Sequence, residues 1–288
     1  MIHDVFDIDY WIKVFPLDAL RTSVIGKSKS MQPKASDITS PRHIAINEQL
    51  RSEAISEKDE IKRVATDVFV YNHGEPANRA VTKIGGVPYR SAQKSWVSNS
   101  SKEPLTFVGQ LCFVDSKDII DALPGDILLI FADADKNGYD WGDSSRLPLY
   151  FEWISLNEKD LIMADKVPLT EWKINPCFGS VFRTFDYPDL GAFDYPHISD
   201  FIPFSNPATK IGGVPTWVQN SKKLAGKFLG QINSIAPEIR DIYPYINSPE
   251  PITWSDWHDN HPLLWGDMGT LYLFIDDNSE IHWAVQGS

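Results

Sequence analysis

Short apolar runs separated by turn residues dominate the middle and the end of the chain. Residues 68–71, 107–111, 127–132, 150–154 and 280–286 are rich in Val, Ile, Leu, Phe, Tyr and Trp, the residue types that favour strands. Gly, Pro, Asn and Asp stand between these runs, as turns require. Helical periodicity is too sparse for a doubly wound parallel sheet. The pattern predicts a β-rich α+β fold of mainly antiparallel strands with few helices.

Three sequence blocks occur twice in the same order. The block Thr-Lys-Ile-Gly-Gly-Val-Pro at 82–88 returns unchanged at 209–215. Each copy is followed by Phe-x-Gly-Gln, at 107–110 and at 228–231, and then by Gly-Asp near an apolar run. Three shared blocks in one order exceed chance. The chain is therefore predicted to be an internal duplication with two pseudo-symmetric β lobes.

The positions of the copies divide the chain into four segments. Residues 1–65 are an N-terminal extension with a short surface helix, 66–155 are lobe one, 156–195 are a connector, and 196–288 are lobe two. Proline and aromatic residues in the connector disfavour long regular elements there. The two lobes are expected to form one domain. Lobe two carries an insertion at 243–264, and because loops carry specificity, this asymmetry is the preferred place for a site.

The repeated block is interpreted as structural. Its two glycines before a proline are typical of a turn with positive φ or of close backbone approach. A phosphate-binding loop is disfavoured because the proline breaks the helix that should follow. We expect each lysine to pair with the aspartate of its own lobe. The structural set is Lys83, Gly85, Gly86, Pro88 and Asp126 in lobe one, and Lys210, Gly212, Gly213, Pro215 and Asp267 in lobe two.

Two glutamines, Gln110 and Gln231, occupy the same place in the two Phe-x-Gly-Gln blocks. Strand alternation puts each glutamine on the opposite face from its apolar neighbours. Each side chain either satisfies buried backbone groups or lines a cleft. The structural role is favoured because buried polar groups are normally hydrogen-bonded.

Composition and charge narrow the function. The 288-residue chain is 42% apolar with a net charge of −12, which excludes disorder for its bulk and argues against nucleic acid. No apolar run is long enough to span a bilayer, and the N-terminus lacks the basic region of a secretory signal. Two cysteines are too few for a disulfide framework. We expect a cytoplasmic protein that binds neither membrane nor nucleic acid.

One loop has the spacing of calcium ligands. Asp133, Asp135 and Asn137 precede a glycine, as in loops whose alternate oxygens wrap a hard cation. Ser144 stands where the bidentate glutamate should be, and Asn-Gly is also an ordinary hairpin tip. The hairpin is favoured and calcium is the alternative; no other cofactor is expected.

The remaining candidates lie mainly in lobe two. His258 and His261 resemble a metal or acid–base pair, but no further ligand stands at a recognisable spacing, which favours a polar surface loop. No nucleophile elbow is present, so an enzyme is not expected. Five tryptophans lie in or near the motifs and the insertion, Trp96, Trp217, Trp254, Trp257 and Trp265, and most are expected in the core. A cluster left partly exposed would form a protein-binding groove, because tryptophan is enriched at binding hot spots.

The block Lys-x-Gly-Gly-x-Pro-x-Trp, the Phe-x-x-Gln block and Gly-Asp-x-Gly-x-Leu-Tyr-x-Phe together resemble the bacterial YwqG-like family of unknown function. Lobe two carries the resemblance best, in Lys210, Gly212, Gly213, Pro215, Trp217, Phe228, Gln231, Gly266, Asp267, Gly269, Leu271, Tyr272 and Phe274. Lobe one departs from it, with Arg90 where Trp217 stands. The resemblance covers about residues 66–288 and implies a duplicated, β-rich α+β fold.

A remoter similarity leads to the programmed-cell-death-2 and ribosomal-protein-chaperone proteins, and it implies binding of a protein client; bacterial relatives are associated with toxin–immunity loci. We therefore expect a non-enzymatic protein-binding module for a client protein or a basic toxin, which the acidic balance would steer. Residues Trp217, Trp254, Trp257, His258, Gln110 and Gln231 are the candidate binding set. The alternative is a small-ligand or calcium-binding protein that uses the inter-lobe cleft.

Overall fold

A computed structural model describes residues 62–134, 149–188, 205–206, 208–235, 263–266 and 269–287. Ten strands are present in this part of the chain: β1 Val64–His73, β2 Lys83–Ile84, β3 Thr106–Cys112, β4 Ile127–Ala132, β5 Leu149–Ile154, β6 Cys177–Asp186, β7 Lys210–Gly212, β8 Lys227–Asn233, β9 Thr270–Ile275 and β10 Ile281–Gln286. Two single-turn 3-10 helices accompany them, η1 Val114–Ser116 and η2 Ala164–Lys166.

All ten strands join one antiparallel sheet in the order β10-β9-β8-β7-β1-β6-β2-β3-β4-β5. The prediction of a β-rich fold with few helices is confirmed for the described residues. Strands predicted at 150–154 and 280–286 are β5 and β10, which lie at opposite ends of the sheet. None of the helices in the described ranges has the length and apolar character that crossing a membrane requires.

The connector was expected to lack long regular elements, and this expectation is wrong. Strand β6, ten residues long, lies inside it and pairs along its whole length with β1, from Val64 opposite Asp186 to His73 opposite Cys177. The connector's prolines flank β6 instead of interrupting it. Proline removes a ladder hydrogen bond only where it sits within the strand, so the prolines bound the element.

Strands β2–β5 and β7–β10 lie on either side of the central β1–β6 pair and repeat the same registers. Lys83 pairs with Gln110 in the β2–β3 ladder, and Lys210 pairs with Gln231 in the β7–β8 ladder. Both β3 and β8 shift register just before their glycine. The central pair joins the two sets crosswise, because β1 pairs with β7 of the second set and β6 pairs with β2 of the first.

The sheet buries apolar side chains on both faces. The larger cluster gathers the aromatic residues Phe69, Tyr71 and Trp265 with the aliphatic residues of β3, β4, β8 and β9. A smaller cluster packs around Phe107 and Phe131 on the other face of β3 and β4. Strands β4 and β9 are buried at every position, which explains their continuous apolar sequences.

Candidate functional site

The repeated block of the second half holds a buried carboxylate. Lys210 Nζ lies 2.6 Å from Asp186 Oδ2, and neither side chain is exposed. The same oxygen accepts a hydrogen bond of 3.0 Å from Val214 N. Asn206 N donates to the other oxygen at 2.7 Å. A charge this deeply buried needs a counter-charge and further hydrogen bonds, and the block supplies both.

The first half builds the same arrangement around a different carboxylate. Lys83 Nζ, also fully buried, pairs with Glu75, whose side chain is 37% exposed. Val87 N donates to Glu75 Oε1 at 2.8 Å, as Val214 does to Asp186. Lys83 Nζ also donates to the carbonyl of Val87 at 3.0 Å. We call each set of lysine and valine N–H a carboxylate cradle: Lys83 with Val87, and Lys210 with Val214.

The predicted lysine–aspartate pairs are therefore wrong for the first half. Asp126 pairs with Lys117 at 2.7 Å and accepts a hydrogen bond from Leu156 N at 2.9 Å, while Lys83 pairs with Glu75. The carboxylate comes from the chain that leaves β1, which runs past the Gly-Gly turn, and not from the start of β4. Asp267 lies outside the described residues, and Lys210 pairs with Asp186.

The second glycine of each block leaves room for the carboxylate. Gly86 and Gly213 have φ of +69° and +70°, a backbone region that residues other than glycine rarely adopt. A Cβ atom built on Gly86 would collide with the Glu75 carboxylate, and one on Gly213 would collide with that of Asp186. The positive φ and the nearby carboxylate therefore both require glycine at this position.

Both candidate glutamines are fully buried. The side-chain oxygen of Gln110 accepts from Tyr89 N at 2.9 Å, and its nitrogen donates to the carbonyls of Arg79 and Val81 at 2.8 Å each. Gln231 accepts from Thr216 N at 3.0 Å and donates to the carbonyl of Ala208 at 3.0 Å. These contacts tie the strand to the chain on both sides of each repeated block.

An open cleft of about 510 Å³ lies on the sheet beside the central strand pair. Its lining includes Asp67, Thr82, Cys112, Asp115, Val181 and Arg183. We call it the Asp67–Arg183 cleft. The lining residues come from segments that the sequence assigned to lobe one and to the connector, and none comes from the described residues of 196–288. The cleft therefore lies where β1 meets β6.

Charged residues that are hydrogen-bonded to one another form the floor of the cleft. Asp67, 1% exposed, accepts from Arg183 Nε, from Arg183 Nη2 at 3.1 Å and from Ser116 Oγ at 2.7 Å. Asp118 holds the other side of the guanidinium, 2.7 Å from Nη1. Hydrogen bonds to these two carboxylates raise the pKa of Arg183 above its ordinary value, and the bond from Arg183 lowers the pKa of Asp118.

Two further groups set the chemistry of the cleft. The Asp115 carboxylate forms no ion pair within the part of the chain that the structure describes. Burial raises the pKa of the Cys112 thiol to about 11, so the thiol stays protonated near neutral pH. The cleft therefore carries more carboxylate than cation and lacks a ready thiolate nucleophile.

The Arg90 and Trp217 positions differ as the sequence indicates. Trp217 is half-buried and packs against Tyr272, with ring centroids 4.3 Å apart and ring planes tilted by 35°. Arg90 is buried and places Nε 2.7 Å from a carboxylate oxygen of Glu152. One half thus presents an aromatic face at this point, and the other presents a buried ion pair.

Several predicted candidates lie outside the described residues. They are Trp254, Trp257, His258 and the rest of the insertion up to residue 262, Asp135 and Asn137 of the calcium-like loop, and the extension up to residue 61. Asp133 is described, and its carboxylate accepts from the Asn99 amide at 3.1 Å. These candidates stay predictions.

A three-residue group on the β9–β10 hairpin could offer metal ligands. The ligand atoms of Asp276, Glu280 and His282 lie within 4.8 Å of one another. The Asp276 carboxylate already accepts from Asn278 N and Glu280 N at 2.9 Å each and contacts His282 Nε2 at 3.0 Å. The turn itself thus accounts for the position of Asp276.

Sequence reasoning missed Asp67 and Arg183. The available signal was their type, since each is a charged residue beside an apolar run, at 68–71 and 181–182. A charge in an otherwise apolar strand needs a partner when buried, but the sequence does not say which of many charges supplies it. The strand register does, because Asp67 lies opposite Arg183.

A family model described as a domain of unknown function, DUF1963, matches residues 82–280. The match spans both copies of the repeated block and all strands from β2 to β9. No curated protein matches the chain.

Proposed function

This chain belongs to the DUF1963 family, and we propose that it is a non-enzymatic protein-binding module. Its Asp67–Arg183 cleft receives a basic side chain of a protein partner. The observation that carries this proposal is the charge balance of the cleft, whose described lining contains two carboxylates, Asp67 and Asp115, and one guanidinium, Arg183. Arg183 is already paired with Asp67 and with Asp118, which is not part of the lining. A lysine or arginine of a partner would complete that balance, and a hydrogen-bonded charge pair across an interface favours the matching partner over others.

The whole chain supports the same partner chemistry. A net charge of −12 raises the rate of encounter with a basic protein. Trp217, half-buried on Tyr272, supplies a second contact of the kind that interfaces use. A basic toxin and a basic client protein both meet this description. A cytoplasmic location is part of the proposal.

A matched pair of charge variants tests the cleft. Asp115→Asn removes a carboxylate from the lining, and Asp165→Asn removes one from η2, where the side chain is 72% exposed and outside the lining. We expect affinity capture with mass spectrometry to recover a basic protein with the wild type and D165N. Titration of that purified protein should show binding weakened about tenfold, or about 1.4 kcal/mol, by D115N alone. Equal affinity for both variants refutes a role of the cleft.

A small organic cation is the second candidate ligand. It is favoured by the cleft volume of about 510 Å³, which is within the range of small-molecule sites. Melting curves with putrescine, agmatine and calcium distinguish an organic cation from a metal ion as the ligand. A stabilisation by either organic cation that D115N removes, without any captured protein, would favour the small ligand. A response to calcium that a chelator reverses would favour the Asp133 loop.

We also infer that the two halves descend from one duplicated unit. Matching registers support this inference, as do matching hydrogen bonds: Thr82 Oγ1 accepts from Cys112 N at 2.9 Å, and Thr209 Oγ1 accepts from Asn233 N at 3.0 Å. The narrower YwqG-like relation and the remote programmed-cell-death-2 relation are likewise proposals. An experimental structure in which the two strand sets fail to superpose would contradict the duplication.

A further inference from the structure

The two carboxylate cradles differ in how they enclose their carboxylate. Asp186 has no exposed surface and accepts from Lys210, Val214 N, Asn206 N and the Asn206 amide, the last at 2.8 Å. Within the described residues, Glu75 accepts only from Lys83 and Val87 N, and it is 37% exposed. The lysines are equally buried. In the first half, therefore, a buried cation is paired with a partly exposed anion.

Glu75 reaches the cradle from the loop that follows β1, one residue beyond the hydrogen bond of 2.8 Å that Gly74 N donates to the Pro176 carbonyl. It follows the end of β1 and Gly74, whose φ is +90° and around which a Cβ would meet no atom within 4 Å. Asp186, by contrast, is itself the last residue of a ten-residue strand. Loop segments with few packed neighbours open at lower free energy than strands. Moving Glu75 away therefore requires no strand to separate.

From this difference we propose that the Lys83 cradle is a binding site for an external carboxylate, and that Glu75 occupies it as a displaceable plug. An incoming carboxylate would take the place of the Glu75 carboxylate, accepting from Lys83 Nζ and from Val87 N. Gly86 provides the space, since a side chain there would collide with the bound carboxylate. The ligand class is a carboxylate on a flexible chain, such as the C-terminus of a peptide.

The energetics of Lys83 favour exchange over loss of the anion. Burial lowers the pKa of Lys83, and the hydrogen bond with Glu75 opposes that change. A buried ammonium left alone is costly, so departure of Glu75 is favourable only when another anion enters. The plug competes intramolecularly at a high effective concentration. A free carboxylate therefore binds the wild type weakly, and removal of the plug should reveal the site.

Acetate titration of plug variants tests the proposal. Backbone amide resonances of Gly86 and Val87 report the first cradle, and Val214 reports the second as an internal control. In Glu75→Ala we expect acetate to shift Val87 saturably with half-saturation at about 1–10 mM, an ordinary weak affinity. The wild type should need at least about tenfold more acetate, because Glu75 competes. Chloride keeps the ionic strength constant, and an inorganic phosphate arm shows whether the site prefers a planar carboxylate.

The double variant E75A/K83M is the matched control, because it empties the cradle without leaving a lone buried charge. It should lose the saturable shift. A dipeptide with a free C-terminus should act like acetate in E75A, and its amidated form should not.

The proposal is overturned if folded E75A shows no saturable shift, if E75A/K83M shifts equally, or if Val214 responds as strongly as Val87. If E75A does not fold, E75Q takes its place and should half-saturate at less acetate than the wild type. D115N leaves this result unchanged, so the cleft and the cradle fail independently.

Discussion

Lys210 Nζ and Asp186 Oδ2 lie 2.6 Å apart at the end of β6, in a place where neither side chain reaches solvent. The contact joins the last residue of a central strand to the first residue of β7. Its counterpart in the first half joins Lys83 to the exposed Glu75. A motif repeated letter for letter thus supports two ion pairs of different burial, and the difference predicts different sensitivities to mutation.

Replacing Asp186 by Asn should be among the most destabilising single changes. The substitution keeps the size of the side chain but leaves the buried Lys210 without its counter-charge, which typically costs about 3–5 kcal/mol. We expect urea denaturation to show a free energy of unfolding lowered by about that amount.

The matched change in the first half is Glu75→Gln. It should cost less than Asp186→Asn, because water reaches the partly exposed Glu75 end of the pair and replaces part of the lost interaction with Lys83. Similar losses in D186N and E75Q would contradict the different enclosure of the two carboxylates.

Alanine substitutions at three glycines separate backbone strain from collision. Gly74, Gly86 and Gly213 all have positive φ, so each substitution should cost about 1–2 kcal/mol from conformation alone. Gly74→Ala adds no contact, whereas Gly86→Ala meets the movable Glu75 and Gly213→Ala meets the enclosed Asp186. Thermal and urea unfolding should rank the losses G74A, then G86A, then G213A. A loss in G74A as large as that in G213A would assign the effect to conformation alone.

The repeat and the apolar pattern predicted much of the sheet, because β4 and β9 follow matching blocks and are buried at every position. They could not predict that β1 and β6 pair with each other at the centre of the sheet. Strand pairing depends on which edges are free in the folded chain, and the prolines near β6 suggested an irregular segment. The pairing of β1 with β7 and of β6 with β2 is information that only the assembled sheet contains.

The same limit applies to the polar partners. Lys83 was expected to pair with Asp126, since both charges recur near the repeated blocks, yet Glu75 is the partner. Asp67 and Arg183, 116 positions apart, share a cleft through the β1–β6 register. Residue type identified which positions needed a partner. The topology decided which partner each received.

Removing Arg183 should destabilise the protein through Asp67. Arg183→Met leaves the buried Asp67 carboxylate with Ser116 as its remaining described hydrogen-bond donor, and we expect a loss of about 3 kcal/mol in the free energy of unfolding. Asp118→Asn is the control, because Asp118 is 66% exposed, and it should leave the free energy of unfolding almost unchanged. The double variant D67N/R183M should recover part of the loss, since it removes both charges. A loss in D118N equal to that in R183M would contradict this assignment.

The cysteines predict how the folded protein responds to alkali. Burial raises the pKa of Cys112 to about 11 and that of Cys177 to about 12, from 9.0. At pH 8 only about one Cys112 thiol in a thousand is then ionised, so iodoacetamide should label both cysteines at least about 100-fold more slowly in the native protein than in urea. The native rate for Cys112 should rise about tenfold per pH unit up to about pH 11. Because folding raises the pKa of both thiols, their burial also contributes to the free energy of unfolding. This contribution is complete below pH 9 and declines as pH rises towards 11 and 12. Rapid labelling of the folded protein at pH 7 would show that Cys112 is an accessible thiolate, and the Asp67–Arg183 cleft would then contain a nucleophile.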